Sequence, residues 1–310
     1  MKMTTKLRKE MEKGILVKVA VTDQLTARLA ESLGFKCLSL SGSQLGWVTC
    51  KPEPLTTADD YVRAARPIIE AVNIPLTSEG CTGFGDAAHT AYTVKQYIKA
   101  GLAGMFIEDQ VHPKRMGYWG PEAHTYKRTK YVIPMEEMLT KIKAAIKMRD
   151  KLDPDFVIDA RTDAFGAVGG GLEEAIKRCK AYWDAGADGV MIFPSSEPTL
   201  ELLTIVRKRL PPQIRISASI IAEGKFLVKD YEKMGFNTCS YHNQLTVVAV
   251  KAMREFLIEA RDTGGLPEGY STYMAEIRKI IVDLSGAPEL WQIEKEQEKA
   301  IGLPKTIWKP

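Results

Sequence analysis

Short apolar runs recur along this chain, and each is followed by a stretch with helical spacing. The runs are Leu16–Val21, Cys37–Leu40, Ile74–Ser78, Gly104–Ile107, Phe156–Ala160, Gly189–Phe193, Ile214–Ala218 and Asn237–Ser240. Between and after them lie Thr22–Leu33, Thr57–Val72, His89–Ala100, Met135–Arg149, Leu172–Ala185, Leu200–Leu210, Val228–Met234 and Thr246–Thr263, all with helical patterning. Stop and start signals agree: Thr22 or Asp23 and Thr57 as caps, Gly34 as a terminator, Pro134 at a start, Pro211-Pro212 at an end. Strand and helix alternating in this way imply a parallel sheet. Eight such units predict an α/β fold of the closed (β/α)₈ TIM-barrel type. No GxGxxG follows the first run, which argues against an open dinucleotide-binding sheet. The expected division is a barrel over residues 1–264 and a helical tail over 265–310. Tyr270–Leu284 and Leu290–Ile301 form that tail, which exposes Ile280, Ile281, Leu284, Trp291 and Trp308 for packing on the barrel or a neighbouring subunit.

The fourth run opens into chemistry. Ala100–Gly120 reads AGLAGMFIEDQVHPKRMGYWG: a helix end, a turn at Gly101, a buried strand, then acid at Glu108-Asp109 and base at Lys114-Arg115. Catalytic groups of a barrel sit at the carboxyl ends of its strands. Collected from the strand ends, the candidates are Ser41, Gly42, Ser43, Glu79, Cys81, Glu108, Arg161, Asp163, Ser195, Ser219 and Asn243. Glu79 and Glu108 opposite Arg161 suit an oxygen-rich anion held between a divalent cation and a guanidinium. Magnesium prefers carboxylate and water oxygens and can stabilise an enolate. Arg161 can fork onto a carboxylate, and the Ser41-Gly42-Ser43 turn can offer it backbone N–H groups. The bland alternative for Arg161 is an ion pair with Asp163 or Glu108 that merely closes the barrel mouth.

Bulk properties narrow the class. A net charge of +4 over 310 residues, without a basic run interleaved with aromatics, gives no case for nucleic acid. Neither a signal peptide nor a membrane-spanning run is read. Cys37, Cys50, Cys81, Cys179 and Cys239 lack paired spacing and read as reduced thiols of a cytoplasmic protein.

The segments SLSGSQLGW, EGCTGFGDAAH, AGLAGMFIEDQVHPKRMGYWG, DARTDAFGAVGGGLEEAIKRCKAYWDAGADGVMIFPSS and YHNQLTVVAVKAM resemble, in order, the motifs of the isocitrate lyase/phosphoenolpyruvate mutase superfamily. That resemblance implies a (β/α)₈ barrel with an exchanged C-terminal helix, a homotetramer or homodimer, and a Mg²⁺-bound enolate intermediate. Its substrates are small 2-oxo or 2-hydroxy acids. Residue by residue it implies Ser41, Gly42 and Ser43 as the carboxylate-binding turn, Glu108 near the metal, Arg161 on substrate, Lys114 and Arg115 on a gating loop, and Asn243 near the mouth. The sequence departs where the family usually has Asp-x-Asp-Thr-Gly: here stand Glu79 and Cys81, and magnesium does not favour a thiol. The expected metal ligands are therefore Glu79 and Glu108, for Mg²⁺ or Mn²⁺. Glu53 falls where the family often has a further aspartate. The lyases' loop reads Lys-Arg-Cys-Gly-His, whereas this chain has Lys114-Arg115-Met116-Gly117-Tyr118. A thioether transfers no proton, so isocitrate and methylisocitrate cleavage are not expected, and Tyr118 or Cys81 becomes the candidate acid or base. The expected activity is carbon–carbon cleavage of a 2-hydroxy- or 2-oxo-dicarboxylate. Phosphonopyruvate mutase or hydrolase chemistry is the alternative, and a binding protein without its metal is a third.

Overall fold

The computed structural model describes residues 1–115, 130–193, 200–220 and 226–301. The eight strands are β1 (Leu16–Ala20), β2 (Cys37–Leu40), β3 (Leu76–Glu79), β4 (Gly104–Glu108), β5 (Val157–Thr162), β6 (Gly189–Ile192), β7 (Ile216–Ser219) and β8 (Thr238–Tyr241). All pair in parallel with their sequence neighbours, and β8 closes onto β1, which makes a barrel with every carboxyl end at one mouth. The strands are near-continuous apolar runs because helices cover the outside and side chains fill the inside. β3 and β5 are buried at every position.

Several strands run further toward the mouth than the apolar pattern predicts. Glu79, Glu108, Arg161 and Ser219 are strand residues, not loop residues. Glu108 and Arg161 are register partners on β4 and β5. Charges end a strand in a sequence pattern because they usually meet water; here they meet each other.

The outer helices begin where the sequence places their caps. Asp23 accepts from the Thr26 N–H at the start of α2 (Gln24–Ser32), and Thr57 shares a capping box with Asp60 at the start of α4 (Ala58–Ala71). α5 (Ala87–Ala100) starts on Asp86, whose carboxylate takes two backbone N–H groups, and stops at Gly101, which is left-handed at φ 92°. One helix was not foreseen. Gly42–Val48 forms α3, with Ser41 as its N-cap, where the sequence reads as a plain turn. A 3₁₀ turn, Glu53–Leu55, follows it.

The opening helix α1 (Met3–Met11) packs under the barrel. Leu7 and Met11 pack with Leu16, Cys37, Ala103 and Val157 at the amino ends of the strands, which plugs that end of the barrel. Arg8 pins it by donating to Asp188 and to the Asp155 carbonyl.

The chain divides into two compact units, Met1–Val247 and Val248–Pro310. The boundary lies within α10 (Gln244–Thr263). In the second unit, α11 (Tyr270–Ser285) and α12 (Ala287–Ile301) meet at left-handed Gly286. Ile280, Ile281 and Trp291 stand about half exposed. Among the described residues no helix is long and apolar enough to cross a membrane.

Candidate active site

Three glutamates meet at the mouth, each delivered by a different element. β3 ends in Glu79, β4 ends in Glu108, and the 3₁₀ turn brings in Glu53. The segment leaving β4 folds back and sets the Lys114 ammonium among them. Its Nζ lies 3.0 Å from Glu79 Oε1 and 2.9 Å from Glu108 Oε1, and it also contacts Glu53 Oε1. Glu79 Oε2 accepts from the Gly42 N–H at 2.7 Å. Only glycine fits at position 42, since a Cβ there would come within 2.6 Å of Tyr61 Oη and 2.7 Å of Glu79 Oε2. The Ser41-Gly42-Ser43 segment thus already holds a carboxylate, the protein's own Glu79, while the two serine hydroxyls face each other at 3.2 Å.

Burial and the neighbouring Glu79 raise Glu53 to about 7. Burial would also raise Glu79, but Lys114, Arg161 and the Gly42 N–H outweigh it and hold Glu79 at about 2. Desolvation works against the Lys114 ammonium, yet Glu108 and Glu79 push it well above the usual lysine range.

Arg161 stands beside the cluster. Its Nε and Nη2 donate to the two oxygens of Asp163, each at 2.9 Å, and its Nη1 faces Glu108 Oε2 at 3.3 Å. The Phe193 ring centroid is 4.0 Å from Arg161 Cζ and 4.0 Å from Lys130 Nζ, and Lys130 also pairs with Asp163. Glu108 is fully buried, and its Oε2 accepts no hydrogen bond among the described residues. Asp109, the neighbouring acid, turns the other way into a structural seat. It accepts from Thr162 Oγ1 (2.7 Å), the Asp163 N–H (2.9 Å), Arg178 Nη1 (3.0 Å) and Tyr182 Oη (2.7 Å). That seat fixes the end of β5, and with it the fork that orients Arg161.

Cys81 follows β3 in a left-handed conformation, φ 46°, which is uncommon for a residue with a Cβ. Tyr97 Oη on the Glu79 carbonyl, Lys141 Nζ on the Thr82 carbonyl and Thr93 Oγ1 on the Gly83 carbonyl hold this loop in place. Cys81 Sγ lies 3.2 Å from Tyr61 Oη and 4.0 Å from Glu79 Oε1. Burial and Glu79 push its thiol well above the usual range, so it packs as a neutral group and is a poor nucleophile.

Across the mouth, Ser219 Oγ is 2.8 Å from His242 Nε2. The sequence resemblance implies His242 near the mouth beside Asn243 but gives it no role. Burial lowers this imidazole to about 4, with Arg161 adding to the effect and Glu79 opposing it. A histidine lowered on folding stabilises the fold fully above its unfolded value of about 6.5, and this contribution is lost as pH falls toward 4. His242→Gln is therefore expected to show a shallower fall in melting temperature than the parent between pH 6.5 and 4.5, as followed by circular dichroism. Equal slopes would show that His242 is not held neutral. The Asn243 N–H donates to Gln244 Oε1, and Gln244 Nε2 donates to the Ile220 carbonyl, so the two residues finish the rim of β8. Ser195 and Tyr118 lie outside the described residues.

The site can be tested against a divalent cation. Glu53, Glu79 and Cys81 each bring one ligand atom within 4.8 Å of the others. The sequence pointed to Glu79 and Glu108, and Lys114 shows Glu53 facing the same point as both. Three carboxylates fit a hard ion such as Mg²⁺ or Mn²⁺; a neutral thiol does not. Of that cluster Glu53 and Glu79 are the donors that suit such an ion, and Glu108 faces the same point through its contact with Lys114.

Known proteins share this architecture. The sequence model of the phosphoenolpyruvate phosphomutase family matches residues 6–260. A 2,3-dimethylmalate lyase of Eubacterium barkeri is 35% identical over 251 residues, covering 78% of this chain and 80% of that protein. A 2-methylisocitrate lyase of Escherichia coli K12 is 40% identical over 173 residues, covering 55% of this chain and 54% of its own. Among solved structures, a phosphonopyruvate hydrolase complex with oxalate and Mg²⁺ superimposes with a TM-score of 0.80 at 28% identity, covering 95% of this chain and 99% of that one. With the family sequence matched across the barrel and the fold matched over nearly the whole chain, this protein belongs to the phosphoenolpyruvate phosphomutase family.

Proposed function

We propose that the protein is a carbon–carbon lyase that cleaves a small 2-hydroxy- or 2-oxo-dicarboxylate through a stabilised enolate. The observation that carries this reading is the buried Arg161 guanidinium standing against the Glu53–Glu79–Glu108 cluster at one barrel mouth. The Eubacterium relative, named for cleaving a substituted malate, supports the substrate class. Asp163 and Asp109 hold Arg161 rigid before substrate arrives, so little ordering is left for binding. Its Nη1 edge then takes the substrate carboxylate, and Ser219, Ser41 and Ser43 supply hydroxyls around the mouth. A divalent cation held by Glu53, Glu79 and Glu108 would polarise the oxygen on which negative charge develops. Buried surroundings make that charge stabilisation strong. Lys114 supplies the positive charge at this wall when no metal is held there, and Tyr118 is the proposed partner of the protonated carbon.

The Escherichia relative bears the name 2-methylisocitrate lyase, so family membership does not exclude that reaction. Its exclusion here rests on Met116 alone, a residue with no transferable proton. Phosphonopyruvate cleavage is the second reading, favoured by the fold match to the hydrolase. The exposed apolar residues of α11 and α12 support assembly into a homodimer or homotetramer, and five free cysteines support a cytoplasmic setting.

The experiment is a panel of 2-hydroxy- and 2-oxo-dicarboxylates plus phosphonopyruvate, each with EDTA or with Mg²⁺ or Mn²⁺ added. Metal-dependent cleavage of a diacid is expected. Phosphate release from phosphonopyruvate alone would shift the assignment to the second reading. Activity indifferent to EDTA would remove the metal, and no turnover on any compound would leave a binding protein.

A further inference from the structure

We propose that Lys114 and the divalent cation are alternative occupants of the Glu53–Glu79–Glu108 seat, so that loading the metal expels the Lys114 ammonium. This rests on the metal reading proposed above and adds to it a determinant of metal affinity.

Lys114 Nζ contacts the Oε1 oxygen of all three glutamates, so one nitrogen occupies the point where the three converge. A magnesium-type ion needs those oxygens at about 2.0–2.1 Å, and a manganese ion needs them nearly as close. An ammonium needs the same lone pairs at about 2.7–2.9 Å. An oxygen aimed at one of these cations is not free for the other, and two cations cannot share the centre.

Charge leads to the same exclusion. Three carboxylates facing Lys114 and Arg161 leave an excess of one negative charge when all are ionised. Exchanging the ammonium for a divalent ion neutralises the set. Keeping both would leave two cations in contact inside a buried pocket with an excess positive charge.

Geometry lets one of the two leave. Arg161 is locked by its Asp163 fork and the Phe193 ring, so it cannot yield its place. Lys114 reaches the seat on a flexible four-carbon stem from the segment after β4. Its flanks Pro113 and Arg115 are exposed. The neighbouring His112, hydrogen-bonded to Thr82 Oγ1 at 2.9 Å, marks where the segment is tied down. When the seat must first be vacated, apparent affinity drops by the fraction of molecules in which it is vacant. Lys114 thus sets how tightly the metal is held.

Two measurements on the full chain test this. The first is Mn²⁺ binding, followed by the electron paramagnetic resonance signal of free Mn²⁺, for the parent and Lys114→Met. The variant is expected to bind roughly tenfold tighter or more. The second is lysine footprinting of the parent by reductive methylation and mass spectrometry. Saturating Mn²⁺ is expected to raise the labelling rate of Lys114 by about tenfold, while exposed Lys251 is unchanged. Mn²⁺ binding by the variant alone would equally support exchange. Equal or weaker binding by the variant, or Lys114 labelling unmoved at saturation, would overturn the exchange and leave the metal site standing. Binding by neither protein would overturn the metal reading with it. If Lys114→Met does not fold, the footprint of the parent decides alone.

Discussion

Arg161→Gln is expected to lose both turnover and stability, and by more than any other single change at the mouth. The guanidinium separates two fully buried carboxylates, Asp163 and Glu108. Removing it leaves them facing each other, and breaking a buried ion pair from one side costs about 3–5 kcal/mol. Lys130 still pairs with Asp163, which argues for the lower end of that range. At roughly 2–4 °C per kcal/mol for a domain of this size, the melting temperature should fall by on the order of 10 °C. On the proposed reading the substrate also loses the Nη1 edge that takes its carboxylate, so kcat/KM should fall by about 10²–10³-fold at temperatures where the variant is folded. Arg161→Lys should not restore it, because an ammonium cannot reproduce the planar fork on Asp163. A folded Arg161→Gln protein with unchanged kcat/KM on its diacid would remove Arg161 from substrate binding.

Glu108→Gln is the second large effect, and its signature differs. Glu108 lies between two cations: its Oε1 takes Lys114 at 2.9 Å and Gln110 Nε2 at 3.1 Å, and its Oε2 faces Arg161. The amide keeps the shape and removes the charge. Lys114 retains Glu53 and Glu79, and Arg161 retains Asp163, so the fold should hold. Substrate still meets its arginine. The loss falls on the charge that develops during reaction, and kcat should drop about 10²-fold or more with KM within a few-fold. Steady-state kinetics at saturating Mn²⁺ separate the two parameters. A raised KM with kcat intact would make Glu108 a binding group instead.

The barrel itself was legible in the sequence, because eight apolar runs, each followed by helical spacing and a cap or stop residue, leave few other folds. Strand ends were less so. Glu79, Glu108 and Arg161 look like the start of loops, and only their mutual neutralisation keeps them in the ladder. α3 was missed because Gly42-Ser43-Gln44-Leu45-Gly46-Trp47-Val48 contains two glycines, which are weak helix formers, and its start coincides with a turn-like Ser-Gly-Ser. That Glu53 and Lys114 meet Glu79 and Glu108, and that His242 faces Ser219, depends on distances between segments far apart in the chain, and no local pattern encodes those. The Asp109 seat is the clearest case. Glu108 and Asp109 look alike in sequence, yet successive side chains point to opposite faces, so one acid enters the pocket and the other meets Arg178 and Tyr182 on α7 (Leu172–Asp184).

The register pairing of Glu108 with Arg161 also bears on how the protein can be assembled. The β4–β5 seam divides the chain into a front half that holds Glu53, Glu79, Glu108 and Lys114 and a rear half that holds Arg161, Asp163, Ser219 and His242. Neither half contains a complete pocket. A half-barrel would keep its own ion pairs but would carry Glu108 or Arg161 into water without the partner that stands across the seam. Gene fragments split at this seam would therefore be matched by electrostatic complementarity as well as by the open strand edges, and diacid binding would report that the seam has closed.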